Sequence, residues 1–139
     1  MPMDPGSSPR PRRVRMDRLV LLGLGLLLVG LVIYLSLASL ESMPSVEIPF
    51  SDKVEHFIAY GVMMLWFGQI IRGRRGAILT AAGLVALGVA LEFIQAVTPY
   101  RSFELSDMAS NAVGVLAGFL LSRTRLGYML FALERALGR

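Results

Sequence analysis

The chain of 139 residues contains no cysteine, one histidine, one lysine and one tryptophan. Without cysteine, disulfides, thiolate metal sites and thiol nucleophiles are excluded. With His56 alone, any mechanism that needs two histidines is excluded too. Charge is also scarce. Charged residues make up 17% of the chain, where a soluble domain usually carries about 25%. The remaining balance is basic, at +4, and 13 of the 14 basic residues are arginine. These arginines cluster at the ends of apolar runs instead of along one face. That pattern argues against a nucleic-acid partner and for membrane orientation signals.

Hydrophobic residues fill 55% of the chain, and mean hydropathy is +0.62. At this length there is room for one domain. The composition predicts an all-α integral membrane protein. Residues 1–18, "MPMDPGSSPRPRRVRMDR", are rich in Pro, Gly, Ser and Arg, and read as a disordered basic tail. Residues 19–121 are expected to form a four-helix membrane domain. The first span, Leu19 to Leu40, has no charge. It is longer than the roughly 7–15 residues of a signal-peptide core, which favours a retained helix over a cleaved leader ending near Ser36 and Ala38. Spans two to four are expected over about Lys53–Ile71, Gly76–Val97 and Leu105–Leu121. Residues 122–139 place Leu126, Leu130, Leu133 and Leu137 on one helical face. They are expected to form an amphipathic helix in the membrane interface, a partner-binding helix being the other reading.

Arginines mark the N-terminal tail, the "RGRR" turn at 72–75 and the C-terminal tail, whereas the other two connections are mostly acidic. The positive-inside rule then puts both termini in the cytoplasm and the acidic loops outside. On that topology, three helices carry polar residues to one level near the outer surface. Lys53, His56 and Tyr60 share a face of span two, next to Asp52. Glu92 and Gln95 lie in the last turns of span three. Asp107 and Asn111 open span four, and Arg101 lies in the loop between. "GVLAG", 114–118, offers a small-xxx-small surface for close helix approach. Glu55 falls off the Lys53 and His56 face and reads as a headgroup-level charge. Trp66 and Tyr100 read as packing or interface aromatics.

An ionised side chain in hydrocarbon costs at least about 2.5 kcal/mol, so such residues are candidates for function. Glu92 needs a cation or donors, and Arg101 or Lys53 is the expected partner. The expected ligand-binding set is Lys53, His56, Gln95, Arg101 and Asn111, with Arg101 and Lys53 as anion contacts. Asp52, Glu92 and Asp107 serve as orienting carboxylates. His56 is the candidate proton carrier, and the catalytic residue if the protein is a metal-independent hydrolase. The competing reading is a salt-bridge network with a structural role only. No ligand spacing supports a metal site on His56, Glu92 and Asp107, and no cofactor is expected. The inner halves of the spans carry little beyond Gln69, Thr80 and Ser122, so a transport path through one chain is not expected.

The ordered set "DKVEH", "EFIQ", "PYR" and "DMASNAVG" resembles the VanZ-like family of small bacterial membrane proteins. The resemblance covers about Ser51 to Gly118 and matches at Asp52, Lys53, His56, Glu92, Gln95, Pro99, Arg101, Asp107, Asn111 and Gly114. The family is named for an accessory protein of resistance to the glycopeptide teicoplanin. The resemblance therefore implies a multi-pass protein of the bacterial inner membrane acting at the cell envelope. Expected partners are membrane lipids, a lipid-linked wall precursor or a glycopeptide, recognised or modified at the outward site. Whether the chain forms a homodimer is left open.

Overall fold

The computed structural model describes residues 18–38, 51–71, 73–99 and 103–124. Among them are four α-helices and no strands. These are α1 (Arg18–Leu37), α2 (Ser51–Ile70), α3 (Arg74–Ala96) and α4 (Leu105–Ser122). The basic tail at 1–17, the acidic loop at 39–50, Arg72, Arg101 and the C-terminal segment at 125–139 lie outside the described residues.

Three helices are long and apolar enough to cross a membrane: α1 with 20 residues, α3 with 23 and α4 with 18. At 1.5 Å per residue these span roughly 27–35 Å, against a hydrocarbon core of about 30 Å. α2 has the same length as α1, but Asp52, Lys53 and Glu55 lower the hydropathy of its first turns. Its apolar remainder forms the centre of the bundle. Tyr60, Met63, Met64 and Phe67 are all buried, at the spacing that puts them on one face of a helix. Ala77 and Leu84 of α3 and Val115 of α4 join Tyr60, Met63 and Met64 in the core. Large apolar side chains such as Leu19, Leu26 and Leu27 of α1 and Leu79 and Phe93 of α3 point outward and stay exposed. That surface suits lipid and not water. The chain is a membrane protein.

The contacts fix the directions. Position 114 of α4 meets Phe57 of α2, and position 118 meets Gly61 and Met64. Gly68 meets Ser122 one level further. The numbers rise together, so α2 and α4 run parallel. α1 is antiparallel to α2, since Trp66 Nε1 donates to the Leu21 carbonyl at 3.0 Å. α3 is antiparallel to α4, since Gly88 touches Asn111. α3 ends at Ala96, with Pro99 shortly beyond the end, where a helix cannot continue.

α2 and α4 form the most extensive helix pair, and glycine is the reason. A Cβ on Gly114 would run into the Phe57 carbonyl, and one on Gly118 into the Gly61 carbonyl. A Cβ on Gly61 would lie 3.3 Å from the Gly114 carbonyl oxygen. The two backbones touch, as the small-xxx-small pattern at 114–118 leads one to expect. By contrast, a Cβ on Gly30 of α1 meets nothing within 4 Å.

Adding one methyl group therefore has opposite consequences at the two places. Gly118→Ala must force α2 and α4 apart and should cost about 1–3 kcal/mol, as over-packing does. Gly30→Ala should be neutral or slightly stabilising, because alanine is the better helix former. Thermal unfolding of the two variants in detergent, followed by circular dichroism, should show a lowered midpoint for the first alone.

Candidate functional site

The parallel pair and the two antiparallel helices bring the start of α2, the end of α3 and the start of α4 to one end of the bundle. The buried positions of α4 are Asp107, Asn111, Gly114, Val115, Gly118 and Ser122. They form one stripe at helical spacing, so the face that carries the glycines also carries the polar groups. On α3, Gly88, Leu91, Glu92 and Gln95 are buried together. The side chains that a bilayer penalises most are thus the ones turned inward.

Glu92 is 1% exposed. Its Oε1 accepts a hydrogen bond of 2.6 Å from the backbone N–H of Glu104. A carboxylate on α3 thereby fastens the chain just before α4 begins. The Glu104 side chain turns the other way and accepts from Lys53 Nζ at 3.0 Å and from Ser106 Oγ at 3.1 Å. Lys53 Nζ also lies 3.6 Å from Asp107 Oδ1, and His56 Nε2 lies 3.7 Å from Asp107 Oδ2. These last two distances are too long for hydrogen bonds, and of the two only the Lys53 contact joins opposite charges whatever the state of the imidazole. The result is a continuous polar chain: Glu92, Glu104, Lys53, Asp107, His56. It links three helices.

The links differ in worth. Lys53 and Glu104 have side chains 34% and 46% exposed, so their pair is screened and contributes little. The hydrogen bond from Lys53, followed by that from Ser106, holds the Glu104 carboxyl below its ordinary range. A depressed carboxylate pKa means the pairing is fully present at neutral pH and fades only as pH falls through that lowered value. The Glu92 bond is of another kind. It satisfies a backbone donor from within the packed interior, where an unmet one costs about 1–3 kcal/mol.

Some buried polar atoms lack a hydrogen bond. Among the described residues these are Asp107 Oδ1, within this chain, and Tyr60 Oη and Asn111 Oδ1, deeper in the bundle. Asn111 fits beside α3 because position 88 is glycine: a Cβ there would come within 2.9 Å of Asn111 Nδ2. Gln95 goes elsewhere. Its Nε2 donates to the Ser36 carbonyl of α1 at 2.8 Å, one of the last carbonyls of that helix, which have no partner within the helix.

A cavity of about 210 Å³ opens beside the cluster, between α1, α2 and α3. Its lining is mixed: Val32, Leu35 and Ser36 come from α1, Asp52, Glu55, His56 and Ala59 from α2, and Gln95 from α3. His56 belongs to both features, lining the cavity and directing Nε2 at Asp107.

The structure thus gathers Lys53, His56 and Asp107 in direct contact, with Glu92 joined through Glu104 and Asn111 one turn deeper. Asp52 and Gln95 lie on the cavity side. Arg101 lies outside the described residues. The expected pairing of Glu92 with Lys53 is corrected: Lys53 goes to Glu104 and Asp107, and Glu92 binds a backbone N–H. One oxygen of the carboxylate is met by a loop amide, which a residue count does not reveal, and the alternative partner Arg101 lies outside the described residues. Glu104 is the functional neighbour that sequence reasoning missed. Its signal is position, one turn ahead of Asp107 at the entry to α4. Among the described residues, no three His, Asp, Glu or Cys side chains are grouped to hold a metal ion. The arrangement can orient a lysine, hold a proton on an imidazole between a carboxylate and a cavity, and present acceptors to a ligand.

Two substitutions of one residue separate charge from hydrogen bonding at the α3–α4 junction. Glu92→Gln keeps an acceptor for the Glu104 N–H, whereas Glu92→Leu removes it. The leucine variant should be less stable than the glutamine variant by about 1–3 kcal/mol, read as a further drop in unfolding midpoint in detergent.

A protein-family model described as VanZ/LLP1 matches residues 24–131. That range holds all of α2, α3 and α4 and most of α1, and so every element of the site. An uncharacterized protein of Schizosaccharomyces pombe is 29% identical over 99 residues. The matched region is 69% of this chain and 61% of the yeast protein, so the chain spans about three-fifths of that relative's length. No solved structure matches. With the family model covering well over half of its length, the chain belongs to the VanZ/LLP1 family.

Proposed function

We propose that the protein recognises an amphiphilic ligand at the polar end of its helix bundle. The observation that carries this reading is the mixed lining of the cavity. Val32, Leu35 and Ala59 are aliphatic, whereas Ser36, Asp52, Glu55, His56 and Gln95 are polar. A purely soluble ligand gains nothing from the aliphatic part, and a purely apolar one gains nothing from the polar part. A chain with a polar headgroup satisfies both. At about 210 Å³ the cavity suits a headgroup and its first methylenes, since sites for whole drug-sized ligands usually run to about 300–1,000 Å³. A lipid or lipid-linked precursor fits that description better than an entire glycopeptide.

In this reading His56 is the contact residue, and Asp107 orients it through Nε2. Lys53 supplies positive charge beside Asp107, Arg101 is kept as a further candidate contact from the sequence, and Glu92 and Asn111 support the framework behind. The polar end faces outward, as the arginine distribution along the chain favours. In a bacterial cell that places it at the outer side of the cytoplasmic membrane, where envelope precursors are presented. The physics of the cavity is not tied to that envelope, and a yeast protein is among the relatives.

The test separates binding from folding. His56→Ala, Arg101→Ala and Asp107→Asn, made singly, should leave membrane abundance within about twofold of the parent, because the His56 and Asp107 contacts are longer than hydrogen bonds and asparagine keeps the volume of aspartate. Each should lower lipid co-purification, measured by mass spectrometry of extracted protein. Abundance and bound lipid falling in step would favour a structural polar network instead. Turnover of a lipid-linked substrate by the purified protein, abolished by His56→Ala, would add a reaction to the recognition.

A further inference from the structure

We infer that the bundle has an internal water site between Tyr60 and Asn111, beneath the polar cluster. The site is independent of the proposed ligand, because neither residue lines the cavity between α1, α2 and α3. Tyr60 is 0% exposed and Asn111 is 3% exposed. Tyr60 Oη and Asn111 Oδ1 are nevertheless without a hydrogen bond. Buried polar atoms are nearly always met by protein or by ordered water, because an unmet one bears its full desolvation cost.

Three helices bring the two atoms to one layer. On α3, a Cβ at Gly88 would lie 2.9 Å from Asn111 Nδ2. One turn earlier, Leu84 shares a buried cluster with Tyr60. One turn later, the Glu92 carboxyl group acts electrostatically on Tyr60. The Tyr60 side chain therefore runs past Gly88, and its hydroxyl end comes to the level of Asn111. Helical side chains lean toward the helix N-terminus, which carries the hydroxyl the same way. The two oxygens lie beyond direct hydrogen-bond reach of each other. One water, at about 2.8 Å from each, bridges oxygens up to about 5.5 Å apart.

Water also matches the chemistry of the pair. It accepts from the Tyr60 O–H and donates to the Asn111 oxygen, which leaves its second O–H for an acceptor such as the Glu92 carboxylate. A metal cation is the poorer occupant. It would use the Asn111 oxygen but oppose the Tyr60 proton, and Lys53 already stands 3.6 Å from Asp107, one turn above Asn111. Tyr60 follows His56 by four residues on α2, so the water extends the polar end of the bundle about one turn inward.

A crystal structure of the full chain at about 2 Å or better should show a water peak within about 3.2 Å of both atoms. A direct bond between Tyr60 and Asn111, or no density between them, would overturn the inference. Thermal unfolding in dodecyl maltoside gives a second reading. Tyr60→Phe removes the hydroxyl and keeps the ring. It should lower the unfolding midpoint by roughly 4 °C, and by less than about half as much in an Asn111→Ala background. An unchanged or raised midpoint in Tyr60→Phe would count against the water, because losing an unmet hydroxyl costs nothing. An equal drop in both backgrounds would do the same. Exchange of sodium chloride for choline chloride should leave the parent's midpoint in place. A midpoint raised by sodium in the parent but not in Tyr60→Phe would give the site to a cation instead.

Discussion

The closeness of α2 to α4 is the constraint on which the rest depends. Helices in a bilayer gain little from hydrophobic association, since lipid tails are as apolar as leucine. What holds them is surface-to-surface contact, and glycines at 61, 114 and 118 let the two backbones meet directly. Because the pair is parallel, their first turns also meet. Lys53 and His56 then fall beside Asp107 with no further device needed. Contact deep in the bundle thus sets the geometry at its polar rim.

The polar chain running from Glu92 to His56 mixes strong and weak links. The exposed Lys53–Glu104 pair adds little to stability, whereas the bond from the Glu104 amide to buried Glu92 ties the entry to α4 to the end of α3. This division matters for any functional account. Glu92 secures the framework from behind, while Gln95 both lines the cavity and holds α1. The one that borders the cavity while touching the cluster is His56. A substitution at the back is therefore expected to act through the fold, and one at the front through the ligand.

Much of this was legible beforehand. Charge-free runs set the helices to within a few residues, because an uninterrupted apolar segment of that length has few other options. Helical spacing placed Glu92, Gln95, Asp107 and Asn111 on inward faces, and "GVLAG" marked the close-packed surface. Partners were less legible. Glu92 found a main-chain N–H and Gln95 a main-chain carbonyl, and every residue carries those groups, so no residue type announces them. Glu104 escaped because an acidic residue in a loop looks like any solvated charge. That Asp52 borders the cavity while its neighbour Lys53 reaches Glu104 and Asp107 follows from the 100° step per residue.

The tie between Gln95 and α1, and that from Trp66, share one property. Both donors reach α1 through its main-chain carbonyls, at Ser36 and Leu21, and not through its side chains. Those two anchors therefore ignore the lettering of the first helix, except where size matters: a Cβ on Gly25 would run into Phe67 and Trp66. Exchange of one aliphatic residue for another on its exposed face should leave both anchors in place. The hereditary constraint on the docking of this helix then falls on Gly25 and on the residues that hold it, in α2 and α3.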